Sequence, residues 1–225
     1  MIRTTLADFT DFLRRPRLLA YQGFSVRTLV PMAGLYLAGL ALIGALLAMW
    51  QRMMHLPAPE AFGKFPPMLL VPIVVIAAPI AEECVFRGWL TGRPRALWLL
   101  GCALVAGALL VGVSLKWHDQ ICAIGVLGVA VAAAAGWFVL RRRTDPPVWF
   151  ARGFGMWFAL SVLGFALAHL SNYPRISPAL VPMVLPQLWA GLVFAHVRLR
   201  HGLAGSMLVH AIGNATALAI ALLVH

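Results

Sequence analysis

The sequence predicts an all-α fold: a polytopic bundle of about seven to eight transmembrane helices with a cytoplasmic N-terminus. Of its 225 residues, 62% are hydrophobic and only 11% are charged, whereas soluble domains usually carry about 25% charged residues. Apolar runs of about 20 residues recur along the chain, and each is long enough to cross roughly 30 Å of hydrocarbon as a helix. These runs are apolar on every face, which excludes a transmembrane β-barrel because barrel strands alternate.

Residues 1–29 form an amphipathic, basic segment ahead of the first apolar run. Phe9 and Phe12 are interspersed there with several arginines, a composition typical of a helix lying on a membrane surface. The run that follows begins only at Val30 and is longer than the core of a signal peptide. We therefore expect it to be retained as a transmembrane helix.

The rest of the chain, 30–225, is predicted to form a single transmembrane domain. Its spans are the apolar stretches between charged or turn residues. The seven predicted spans are 30–50, 68–90, 96–115, 121–140, 154–173, 180–197 and 203–224. With the N-terminus inside, most arginines, including the cluster at 141–143, fall on the inner side, which satisfies the positive-inside rule.

The formal net charge of +11 does not indicate a nucleic-acid partner. The basic residues lie at the ends of the apolar runs, without the interleaved aromatic residues that a nucleic-acid groove uses. Membrane lipid is the expected neighbour instead. Arginine outnumbers lysine 16 to 2, which suggests a prokaryotic source and therefore the cytoplasmic membrane. No feature of the sequence indicates an oligomeric state.

Two adjacent carboxylates interrupt the second predicted span. Glu82 and Glu83 are the acids that fall within an apolar run, where each charge costs at least ~2.5 kcal/mol. Arg87 follows Glu83 by four residues on the same helix face, so we expect an ion pair between them. Glu82 is rotated by about 100° from that face and has no partner on its own helix. Desolvation makes it a candidate general base.

Later spans carry further polar side chains at helical spacing. His169 follows Phe165 by four residues, and Asn214 follows His210 by four, so each pair shares one helix face. Together with Glu82, these residues supply a carboxylate, two imidazoles and an amide. That set suits acyl-transfer chemistry in which water is the nucleophile.

Three motifs occur in order: E-E-x-x-x-R at 82–87, F-x-x-x-H at 165–169 and H-x-x-x-N at 210–214. They resemble the type II CAAX endopeptidase and bacteriocin-processing family of intramembrane proteases, also called CPBP or Abi. The resemblance covers roughly residues 70–220. It implies an enzyme that hydrolyses a peptide bond of a membrane-associated or lipidated protein or peptide.

Roles for these side chains follow as a hypothesis. Glu82, assisted by His169, is expected to deprotonate the attacking water, while His210 and Asn214 donate hydrogen bonds to the tetrahedral oxyanion. The residues expected to support them are Glu83, Arg87 and Phe165. No cofactor is expected in this scheme.

Other interpretations fit the same residues. Glu82, His169 and His210 could instead bind catalytic Zn²⁺ with an open fourth position, but no H-E-x-x-H helix occurs, so the glutamate mechanism is ranked first. A proton-coupled transporter also needs buried Glu and His, although no internal repeat is evident. A non-enzymatic membrane scaffold is the third alternative.

Two features depart from the family pattern. Glu82 and His169 are 87 positions apart, where the family usually has a few tens. The extra length holds an additional hairpin at about 96–140, which we expect to pack at the edge of the core. Counted at 1.5 Å per residue from the inner ends of the spans, His169 would lie roughly 10 Å or more nearer the outer face than Glu82.

Overall fold

The computed structural model describes residues 2–60 and 66–224, and these residues contain helices and no strand. The α-helices are α1 (Ile2–Arg14), α2 (Val26–Met53), α3 (Pro67–Leu70), α4 (Ala78–Arg87), α5 (Pro94–Ser114), α6 (Asp119–Leu140), α7 (Val148–Arg152), α8 (Phe154–Ala168) and α9 (Leu185–Val224). A π-helical segment, Val71–Ala77, joins α3 to α4. Two 3₁₀ segments, His169–Asn172 and Pro178–Val184, connect α8 to α9.

Six stretches are long and apolar enough to cross a membrane, which confirms the predicted all-α polytopic fold. They are Val26–Met53, Met68–Arg87, Pro94–Ser114, Asp119–Leu140, Phe154–Asn172 and Pro178–Leu223. The last stretch holds two of the predicted spans, because α9 is interrupted at Gly202 with φ 85° and ψ 177°, a conformation essentially confined to glycine. The rings of Phe194 and His210 stack across this break, 4.7 Å apart, so α9 is a helical hairpin.

The described chain divides into two compact units, which are Met1–Leu90 with Phe154–His225, and Thr91–Gly153. In the first unit, α2, α4 and α8 pack against α9. Its core includes Met32 of α2, Phe165 of α8 and Val193 of α9. The second unit contains α5 and α6, which pack against each other.

Helix α1 packs on the protein through its apolar face. Phe9 and Phe12 are almost fully buried, and both rings contact the ring of His196, with centroids 5.4 and 5.5 Å away. The Asp8 carboxylate accepts hydrogen bonds from Arg200 and from His196 Nε2, the latter at 3.0 Å. Protein therefore covers the two aromatic side chains on this face of the helix.

Candidate active site

A buried ion pair organises the polar interior of the first unit. Arg87 Nη1 donates to Glu83 Oε1 at 2.8 Å, and both side chains are fully buried. The pair that the four-residue spacing predicts is thus present. The Arg87 guanidinium lies 3.9 Å from the centroid of the Phe165 ring, a cation–π contact that compensates part of its lost hydration. Glu83 also accepts hydrogen bonds from the Ser206 hydroxyl and, at 3.1 Å, from His210 Nδ1.

The neighbouring carboxylate, Glu82, lines a cavity of about 580 Å³ together with His169 and His210. Its side chain is 30% exposed, whereas that of Glu83 is fully buried. Glu82 Oε2 lies 3.8 Å from His169 Nε2 and 3.7 Å from His210 Nε2, beyond direct hydrogen-bonding distance. Side chains from α4, from the 3₁₀ segment that follows α8 and from α9 therefore converge on one cavity.

The depth offset expected between His169 and Glu82 is wrong. α8 and α4 run antiparallel, since Ser161 bonds to Phe86 and His169 lies beside Glu82. Side chains on a helix lean toward its N-terminus, so those of His169 and Glu82 lean toward each other. A 2.8 Å hydrogen bond from His169 Nδ1 to the Phe165 carbonyl holds the imidazole back over the preceding turn.

Hydrogen bonds also determine which imidazole nitrogen faces Glu82. His169 Nδ1 bonds to a carbonyl oxygen and His210 Nδ1 to the Glu83 carboxylate. Both partners accept hydrogen bonds, so each Nδ1 carries the proton. In a neutral ring the Nε2 is then an unprotonated acceptor, and it becomes a donor only in the imidazolium form. Two potential bases thus flank the Glu82 carboxylate.

Asn214 has a partner that the sequence motif did not predict. Its Nδ2 donates to the Val74 carbonyl at 2.8 Å. Within the π-helical segment the Ala78 N–H bonds five residues back, to Ile73, so the corresponding donor to Val74 would be residue 79. That residue is Pro79 and has no N–H. Asn214 therefore satisfies a carbonyl that the proline leaves open, and one of its two amide hydrogens remains.

Three further side chains at this site were missed by sequence reasoning. Ser206 precedes His210 by four residues and shares its helix face, so the spacing alone could have revealed it. Tyr36 and Gln187 line the cavity, and each is a polar residue at or near a predicted apolar span. Neither of these two lies in any of the three motifs, since Tyr36 belongs to α2 and Gln187 to the start of α9, before the break at Gly202.

The zinc alternative requires Glu82, His169 and His210 to lie at the separations found between ligands of one zinc ion. Ligands on a tetrahedral zinc are separated by roughly 3.4 Å, given bonds of about 2.0–2.1 Å, and the Oε2-to-Nε2 distances at Glu82 are wider. Within residues 2–60 and 66–224, no group of three or more His, Cys, Asp or Glu side chains is arranged to hold a metal ion.

The six apolar helices define an integral membrane protein, and its polar side chains meet in a cavity of the first unit. The chain belongs to the family described as Type II CAAX prenyl endopeptidase Rce1-like, whose model matches residues 64–151 and 139–216. Membership of this protease family confirms the resemblance inferred from the three motifs. No curated protein and no solved structure matches the chain.

Proposed function

We propose that this protein is an intramembrane endopeptidase that hydrolyses a peptide bond of a membrane-associated or lipidated protein, with water activated by Glu82. The observation that carries the proposal is the convergence of Glu82, His169 and His210 on one cavity. A water molecule in that cavity would meet a carboxylate and two imidazoles. General bases positioned in this way contribute about 10²–10⁴-fold to rate.

In the first step, a water oxygen attacks the scissile carbonyl carbon and its proton passes to the Glu82 carboxylate. His169 orients this water through Nε2, and its own orientation is held by the bond from Nδ1 to the Phe165 carbonyl. The carbonyl oxygen becomes an oxyanion. Asn214 donates its remaining amide hydrogen to that oxyanion, and His210 can donate from Nε2 when the ring is protonated. Glu83, 3.1 Å from His210 Nδ1, stabilises this imidazolium.

In the second step, the tetrahedral intermediate collapses and the carbon–nitrogen bond breaks. The proton held by Glu82 passes to the leaving amine, which regenerates the carboxylate. Glu83 and Arg87 take no part in proton transfer. Their ion pair fixes the helix that presents Glu82, while Phe165 covers the guanidinium and supplies the carbonyl that orients His169.

The test is cleavage of a quenched fluorescent membrane peptide by purified protein in detergent. Glu82→Gln keeps the size of the side chain but removes the base, and we expect it to lower the rate by about 10²–10⁴-fold. A matched control is Glu60→Gln, because Glu60 is exposed and its loss should leave cleavage unchanged. Full activity in Glu82→Gln would overturn the proposed role of this carboxylate.

A second arm of the same experiment separates the two protease mechanisms. Wild-type cleavage that resists a strong chelator supports activation of water by Glu82 alone. Loss of cleavage that is restored by added Zn²⁺ would instead favour the alternative in which Glu82, His169 and His210 are zinc ligands.

A further inference from the structure

Tyr36 places a phenol in the cavity that contains Glu82. It belongs to α2 and is only 5% exposed, yet it lines the cavity together with Glu82 and His210. Its ring packs edge-on against Phe194, with centroids 4.9 Å apart. Among the residues that the structure describes, none forms a hydrogen bond with its hydroxyl. A buried phenol normally finds a partner, so this donor is available to a ligand.

The absence of a side chain at Gly213 leaves room for the hydroxyl. A Cβ added at this glycine would lie 2.6 Å from the Tyr36 hydroxyl oxygen, so a side chain there would displace the phenol. Gly213 lies three residues after His210 and directly before Asn214. The hydroxyl therefore lies against the turn of α9 that carries His210 and Asn214. The Tyr36 backbone is held in turn by the Trp189 indole, which donates to its carbonyl at 3.0 Å.

The oxyanion of a peptide hydrolase needs preorganised donors, and the other donors at this site are partly engaged. Asn214 already donates one amide hydrogen to Val74. His210 has its Nδ1 bonded to Glu83, and its Nε2 donates only in the charged form. A phenol donates while neutral, which makes Tyr36 the complementary group.

We propose that Tyr36 is a catalytic residue that donates a hydrogen bond from its phenol to the oxyanion of the tetrahedral intermediate. The phenol keeps its proton throughout, so no additional acid or base is required. This inference rests on the proposed hydrolysis. Tyr36 also lies outside both stretches that match the family model, 64–151 and 139–216, so the first span would add a group that the matched segments do not contain.

Tyr36→Phe tests the proposal because it removes only the hydroxyl and retains the ring contact with Phe194. Loss of one oxyanion donor costs about 10²–10³-fold in kcat, and we expect this loss with little change in KM. Tyr173→Phe is the matched control, since Tyr173 packs in a different cluster with Leu47 and Leu180. That variant should cleave at the wild-type rate. A kcat for Tyr36→Phe equal to that of the wild type would overturn the proposal.

A substrate with a thioamide at the scissile bond separates a catalytic role from a structural one. Sulfur accepts hydrogen bonds poorly, so the thioamide should slow the wild type more than it slows Tyr36→Phe. Equal thioamide penalties in the two proteins would mean that Tyr36 acts only through packing, and this would also overturn the proposal. Failure of the underlying hydrolysis is recognised separately, because the wild type itself would then not cleave the peptide.

Discussion

Both compact units contain helices that are long and apolar enough to cross a membrane, but the two units differ in what their interiors contain. In the second unit, Thr91–Gly153, no residue in the most apolar stretch of α6 is buried in the protein. In the span Phe154–Asn172 of the first unit, a third of the corresponding residues are buried. Helices α5 and α6 meet where the Trp98 indole donates to the Ala132 carbonyl at 3.0 Å. In the first unit, α4 and α9 enclose a charged pair and the side chains bonded to it.

The mean hydropathy separates the spans of the two units only slightly, with values of 2.4 and 2.2 for α5 and α6 and of 1.6 to 2.1 for the spans of the first unit. Transmembrane helices lack a strong hydrophobic drive to associate and rely on close packing and polar contacts between helices. A charged or polar side chain within a span is costly unless it faces a partner. Such a residue therefore marks the helices that must assemble around it, and those helices are the ones that enclose the candidate site.

The sharpest prediction concerns the adjacent carboxylates of α4. Glu83→Gln leaves Arg87 as an unpaired cation in a site with no exposure, and breaking a buried pair in this way costs about 3–5 kcal/mol. We expect a large fall in the free energy of unfolding, and His210 also loses the carboxylate that orients it. Thermal unfolding in detergent, followed by circular dichroism, measures the effect.

Glu82→Gln is the matched control for that measurement. It alters the same helix one residue earlier, but Glu82 lies in the cavity and its side chain is 30% exposed. We expect its Tm to match the wild type while cleavage is lost. Equal Tm values for the two variants would contradict the distinction between a structural carboxylate and a catalytic one.

A smaller effect is expected where α1 docks on α9. Burial raises the pKa of Asp8, but the hydrogen bonds and charges of Arg200 and His196 outweigh this and hold its pKa below the ordinary value. Asp8→Asn should destabilise the protein by about 1–2 kcal/mol at pH 7. Asp11→Asn is the control on the same helix, because Asp11 pairs with Arg17 at a half-exposed surface and such pairs contribute little.

The pH dependence of this effect has a definite sign. A lowered pKa in the folded protein means that the unfolded chain binds the proton more readily, so stability rises with pH through the titration of Asp8. Its contribution is complete above the unfolded pKa of about 3.9 and is lost as pH falls through the folded pKa. The Tm difference between wild type and Asp8→Asn should persist from pH 7 to 5 and shrink below about pH 4. A difference that disappears already near pH 6 would contradict this assignment.

Much of the fold was predictable because hydropathy and i,i+4 spacing are local properties. The spans and the Glu83–Arg87 pair follow directly from them. The further partners of Glu83 do not follow from local patterns, because Ser206 and His210 lie more than 120 positions away from it in the sequence. Motif spacing also selected Asn214, but its bond to Val74 depends on a proline in another helix. Such contacts depend on how the helices pack against one another, and the residue pattern of a single helix does not determine this packing.

The smallest predicted effect tests whether the α5–α6 hairpin of the second unit is separable from catalysis. Trp98 and Trp189 each donate an indole hydrogen bond to a backbone carbonyl of another helix, at 3.0 Å in both cases. Trp98 joins α5 to α6 in the second unit, whereas Trp189 holds Tyr36 of the first. We expect Trp98→Phe to leave kcat within about twofold of wild type, because losing one such bond costs only about 0.5–1.5 kcal/mol of stability. Trp189→Phe loses an equivalent bond but frees the backbone that positions the phenol, so it should cleave more slowly. If Trp98→Phe slowed cleavage as much as Trp189→Phe, the α5–α6 hairpin would also contribute to catalysis.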